Sequence, residues 1–214
     1  MPYLSSVCVL SLFRKTLRFF APALVVSAML GACGDNISVP RPRAYPRVLY
    51  PAKEYVPFED ADCPLTFEKA GYARIEHDTA FFGEKMVTRC WFNLDVPALN
   101  ARIYCSYYPI ANRLALDTLI QDAFTMTQKH NVKANYIEET PVHRAADRVH
   151  GMVFDVEGPA ASSCQFYLTD STRHFFRGAL YFNTQARPDS LAPVIDFMKK
   201  DMVHLINTFR WKTK

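Results

Sequence analysis

Residues 160–183 read A-A-S-S-C-Q-F-Y-L-T-D-S-T-R-H-F-F-R-G-A-L-Y-F-N and hold the side-chain types of a hydrolytic triad: Ser162 or Ser163, Asp170 and His174. Acyl transfer needs a hydroxyl nucleophile, an imidazole to take its proton and a carboxylate to orient the ring. The stretch has no G-x-S-x-G elbow, and Ser163 falls in mid-strand, where no strained turn exposes its hydroxyl. We therefore expect no catalytic residues. Arg173 and Arg177 offer a different chemistry. Arg177 stands in an apolar run and needs an acceptor if buried. A carboxylate such as Asp155 or Asp170 would make it structural; an anion patch shared with Arg173 and His174 would read a lipid headgroup or an envelope partner.

Metal sites are not expected. The histidines at 77, 130, 143, 150, 174 and 204 show no H-x-x-x-H spacing on a helix, and the cysteines form no C-x-x-C pair. Glu138 and Glu139 are neighbours that a strand would point to opposite faces, whereas Asp155 and Glu157 share a face and are expected to pair with arginine. His204 is expected near the negative end of the last helix.

The cysteines carry the strongest local signal. Arg14, Lys15 and Arg18 precede an apolar run of twelve from Phe19 to Leu30, and Leu30-Gly31-Ala32-Cys33 closes it. This is the layout of a signal peptide ending in a lipobox, with residues 1–33 removed from the fold and diacylglycerol on the thiol of Cys33. The run is too short for an ordinary spanning helix, so acyl chains on Cys33 would hold the chain to a bilayer. No other cofactor is expected. In an oxidising envelope space Cys63, Cys90, Cys105 and Cys164 can pair in three ways. The reading taken is Cys63–Cys90, worth about 3 kcal/mol of loop closure, with Cys105–Cys164 joining neighbouring strands; four free buried thiols are the alternative.

These residues need a frame. Cys164, Phe166 and Leu168 share one parity with each other, as do Phe176, Leu180 and Phe182 beyond the turn at 169–172, so the stretch reads as a β-hairpin at the centre of a sheet. Residues 34–60, with Pro40, Pro42, Pro46, Pro51 and Pro57, read as an extended tether whose apolar second half lies on the body or on a partner. Strands are expected at 73–77, 89–96, 102–108, 133–140 and 149–157, with Pro141–Arg148 a loop. One amphipathic helix carries Leu116, Leu119, Ile120, Ala123, Phe124 and Thr127, with Asn112 as its N-cap. A second carries Leu191, Val194, Ile195, Met198, Met202, Leu205 and Ile206, capped by Asp189 or Ser190 with Pro193 in its first turn. The result is a single α+β domain over 61–214 with a mostly antiparallel sheet and two main helices.

Composition sets the remaining limits. Half the residues are hydrophobic and 14% aromatic, enough for one substantial core. Of 25 basic residues, three lie in the acid-free segment 1–33, which leaves 22 against 21 acidic. A near-neutral body gives no electrostatic footprint for nucleic acid.

Several motifs resemble the GldD family of gliding motility lipoproteins of Bacteroidota: P-R-P-R-A-Y at 40–45, C-P-L-T-F-E at 63–68, C-W-F-N-L at 90–94, K-H-N-V-K-A at 129–134, the hairpin at 161–182, D-S-L-A-P-V-I at 189–195 and T-F-R-W-K at 208–212. The resemblance implies an envelope lipoprotein, anchored at the inner or outer membrane and facing the periplasm. It would serve gliding and the type IX secretion machinery by docking other envelope proteins, without a reaction of its own. A periplasmic hydrolase or small-ligand carrier using the sheet face near Ser163 and His174 is the alternative. Ala44, Cys105 and Cys164 depart from the family pattern. The order of elements is similar, at fold level, to a PsbP-like sandwich.

Overall fold

The computed structural model of the protein describes residues 47–77, 88–184 and 188–212. The signal segment, Cys33 and the tether up to residue 46 lie outside the described residues.

Seven antiparallel strands form the main sheet: β3 (Arg74–His77), β4 (Trp91–Val96), β5 (Ala101–Pro109), β6 (Tyr136–Arg144), β7 (Val149–Glu157), β8 (Ser162–Thr169) and β9 (His174–Phe182). Their spatial order is β3-β4-β5-β9-β8-β7-β6, which puts the β8–β9 hairpin near the middle. β1 (Tyr55–Phe58), β2 (Leu65–Ala70) and β10 (Arg210–Trp211) make a second sheet in the order β1-β2-β10. β1 pairs with β2 from Tyr55↔Ala70 to Phe58↔Phe67, so the end of the proline-punctuated segment is ordered against the body.

Strand parity divides the core in two. Ile103, Cys105, Phe166, Leu168, Phe176 and Leu180 face the small sheet and the long helix α2 (Pro188–Thr208), which contributes Val194, Met198, Met202, Leu205 and Ile206. Phe58, Phe92, Phe176 and Phe209 run between the two sheets with successive ring centroids 4.4, 6.1 and 5.4 Å apart. Each such ring withdraws enough apolar area to contribute roughly 1.5–3 kcal/mol. The opposite face carries Phe154, Tyr167 and Phe175 under helix α1 (Arg113–Gln128). Asn112 caps α1, its side chain accepting from the Ala115 N–H at 2.9 Å.

Three local expectations need correction. β6 runs through Pro141 instead of ending before it, because β6 is an edge strand and a missing N–H costs nothing on its outer side. α2 begins at Pro188, which occupies the first turn, so Pro193 lies inside the helix rather than at its start. His204 bonds Glu68 at 2.7 Å and stacks on Tyr55 at 3.6 Å; its partners are the small sheet and the tether end, not the helix terminus.

The cysteines divide as well. Cys63 and Cys90 form a disulfide across 27 residues, tying the approach to β2 to the start of β4. Cys105 and Cys164 are free and buried. Cys105 sits opposite Gly178 and Cys164 opposite Leu180, so β9 lies between their strands. Two strand spacings amount to roughly 9–10 Å, beyond the Cα separation of about 7 Å that a disulfide tolerates. Burial pushes the Cys105 thiol far up and the Cys164 thiol up to about 12, the latter aided by the nearby Asp155 carboxylate, so neither is a nucleophile.

Candidate functional site

The β8–β9 hairpin carries the residues on which chemistry was sought, and it separates them. Ser163 lies at the far end of β8, where the register slips between Ser162 and Cys164, while His174 opens β9 at the turn. Six residues of strand separate Ser163 from Thr169, roughly 20 Å. Ser163 is also buried, and its hydroxyl has no partner among the described residues. The triad of Ser163, Asp170 and His174 does not exist.

Asp170 has a different task. Its carboxylate accepts from the Thr172, Arg173 and His174 N–H groups at 3.0, 2.7 and 2.9 Å and from the Thr172 hydroxyl at 2.8 Å. Burial alone would push its pKa up, but the bonds from those three N–H groups outweigh it and bring the carboxyl down to about 2. Ser171 takes the left-handed conformation, φ 65°, that lets the turn wrap around this acceptor. His174 pairs through Nδ1 with the Tyr107 hydroxyl at 2.8 Å and stacks on Trp211 at 5.1 Å.

Around this tip lies a hollow of about 240 Å³ bordered by Arg148, Arg173, Arg210 and Lys212, with Trp211 as its wall. Two acids moderate it. Arg210 pairs with Asp147 at 3.0 Å, and Arg148 approaches Asp170 at 3.8 Å. Arg173 is exposed and makes no ion pair among the described residues.

Arg177 is elsewhere, on the α1 face of the sheet. Neither Asp155 nor Asp170 is its partner: Asp155 bridges to Lys199 and Asp170 serves the turn. The strand period explains this, since Asp155 sits opposite Cys164, whose parity is that of the other face. Arg177 instead donates to Gln165 Oε1 at 2.7 Å and lies against the Met126 thioether at 2.5 Å. The expected patch of Arg173, His174 and Arg177 is therefore two sites. The second is a cleft of about 430 Å³ floored by Ser106, Arg177 and Ala179 and rimmed by Trp91, Tyr104, Tyr108 and Tyr181, with Lys129 and His130 from the end of α1. Sequence reasoning missed the cleft because its rings come from β4, β5 and β9, brought together only by sheet order. The alternation of Tyr104, Ser106 and Tyr108 was the available signal.

A third cluster holds the N-terminal segment. Asp201 of α2 is buried and receives the Tyr55 hydroxyl at 2.9 Å together with Lys53 and the Tyr72 hydroxyl. Burial and the bond to Asp201 push the Tyr55 hydroxyl up to about 12. Lys53 also sits 3.8 Å from the centre of the Phe197 ring, and Tyr50 packs on that ring at 4.7 Å. Among the described residues no group of three or more histidine, cysteine or acidic side chains could hold a metal ion, and no helix is long and apolar enough to cross a membrane.

Comparison with known proteins agrees with the resemblance read from the motifs. A family model described as gliding motility lipoprotein GldD matches residues 35–211. No curated protein matches the chain.

Proposed function

Since the chain belongs to the GldD family of gliding motility lipoproteins, we propose that it works by position: Cys33 carries the lipid anchor, residues 34–60 tether the body, and the body docks other envelope proteins of the gliding and type IX secretion machinery without catalysing a reaction. The observation that supports this reading is where the chain meets the body relative to the cationic tip. The incoming segment is clamped beside Phe197 and Asp201, whereas Trp211 and the tip residues lie past the far end of α2. From Phe197 to Phe209 the helix rises about 18 Å. The tip thus points away from the attachment, towards a partner presenting acidic groups. From Cys33 to Arg47 the chain can extend about 50 Å at most, so the body is kept within that distance of the bilayer, on the periplasmic side.

Crosslinking with mass spectrometry in intact envelopes tests this, with a photo-reactive residue at Thr172. The expected result is a defined set of envelope partners, lost in Cys33→Ser and in Arg173→Glu combined with Lys212→Glu. A partner set indifferent to both changes would end the docking reading. The alternative, a hydrolase at Ser163 and His174, is not favoured by any observation.

A further inference from the structure

The cleft on the α1 face is not needed for docking at the tip, and its composition is specific. Ser106 pairs across the strands with Arg177, and Tyr104 with Ala179. Small side chains at Ser106 and Ala179 leave a hollow where larger ones would have closed the sheet surface. Its volume of about 430 Å³ falls in the ~300–1,000 Å³ range of small-molecule sites. Tyr104 meets Tyr181 edge-on at 5.5 Å, and Trp91 meets Tyr108 edge-on at 5.2 Å, so two ring pairs flank the hollow.

The guanidinium on its floor is the unusual component. A partly buried arginine is ordinarily answered by a carboxylate. Among the described residues Arg177 has no ion pair; it has a neutral amide at Gln165 and a thioether at Met126. Lys129 and His130 add to the same wall of the cleft, and Asp122 is felt by Arg177 only through its field. A charge taken out of water without a counter-charge is costly, and an incoming anion would supply the missing partner in bidentate form.

We propose that this cleft binds a small organic acid, one carboxylate, sulfonate or phosphate group on a flat apolar body, with the acid on Arg177 and the body between the tyrosine and tryptophan rings. The site is distinct from the docking tip and stands or falls separately from it. Lys129 steers the anion at the mouth, and Ser106 offers a hydroxyl beside the guanidinium.

Isothermal titration of the purified soluble body, residues 34–214, with 1-naphthoate, the neutral 1-naphthalenemethanol and inorganic phosphate tests the proposal; circular dichroism and the intact Cys63–Cys90 bond check that this form is folded. The acid is expected to bind at least tenfold tighter than either comparison compound. Arg177→Gln should erase the preference for acid over alcohol, and Ser106→Leu, which fills the hollow and leaves Arg177 in place, should weaken the acid at least tenfold. Equal binding of acid and alcohol, equal binding of naphthoate and inorganic phosphate, or acid binding unchanged in a folded Ser106→Leu protein would each overturn it.

Discussion

Asp170 and Arg177 lie seven residues apart on one hairpin and illustrate two ways of holding a charge. At the tip, Asp170 is only 5% exposed but receives three backbone N–H groups and a hydroxyl, all from the next four residues. On the sheet face, Arg177 meets an amide oxygen and a sulfur, contributed by two separate elements. The first charge completes a turn and is satisfied before anything else approaches. The second is left with donors and no counter-charge among the described residues. A charge answered by its own turn is structural, and one answered by neutral neighbours remains open to a ligand.

The comparison is broken most directly at Asp170. Replacing it with alanine leaves three N–H groups without their charged acceptor, and charge-assisted bonds to a partly buried group make a loss of about 3 kcal/mol the expectation. Urea unfolding measures this; a loss below about 0.5 kcal/mol, the size of an ordinary surface change, would show that the turn does not depend on the carboxylate. The same group gives a pH signature. Its folded pKa is depressed to about 2, so its contribution is fully present above the unfolded value near 4 and is lost as pH falls from about 4 to about 2, about 2 kcal/mol in all. Carbon-detected NMR titration should place the Asp170 carboxyl well below the usual carboxylate range. A midpoint near 4 would contradict the bonding described.

Much of this frame was legible in the sequence. The shared parity of Cys164, Phe166 and Leu168 holds, and the structure puts that face towards the small sheet; Asn112 does cap α1. The family resemblance also came from contiguous motifs, as the match over 35–211 bears out. What could not be read was strand order. Pairing Cys105 with Cys164 assumed that β5 and β8 are neighbours, and only the sheet order shows β9 between them. For Arg177 the sequence offered Asp155 or Asp170, but Asp155 lies on the other face of the sheet and Asp170 serves its own turn; the tyrosine rims of the cleft are non-local. Gly178 shows a related limit: a Cβ there would lie 2.3 Å from the Phe166 ring, a requirement set across strands and invisible along the chain.

Arg177→Met sharpens the contrast. The substitution keeps the length of the stem, removes an uncompensated charge and leaves Gln165 Oε1 with only the Thr127 hydroxyl at 3.4 Å. Those effects oppose each other, since burying a charge without its partner costs free energy while a lost hydrogen bond is worth about 1 kcal/mol. Thermal and urea unfolding should therefore show a change within about 1 kcal/mol, in contrast to Asp170→Ala. A loss of 3 kcal/mol would mark the guanidinium as a structural charge and weaken the case for a ligand.

The smallest stability effect belongs to Arg173→Glu, and it separates folding from docking. The Arg173 backbone N–H serves Asp170, but its side chain is exposed and outside any ion pair among the described residues. Reversing its charge leaves every bond of the turn in place, so the unfolding free energy should move by no more than about 0.5 kcal/mol. The field around the tip changes far more. Arg148, Arg210 and Lys212 set against Asp147 and Asp170 give the hollow a positive balance that Arg173 reinforces, and a glutamate reduces it by two charges. Crosslinks from the tip should fall steeply while the melting curve stays where it was, and the gap to the wild type should narrow as salt is raised, because salt screens the wild-type attraction that the glutamate removes. If crosslinks survive the reversal at unchanged stability, the tip is no more than a well-made turn, and docking must be sought on another face.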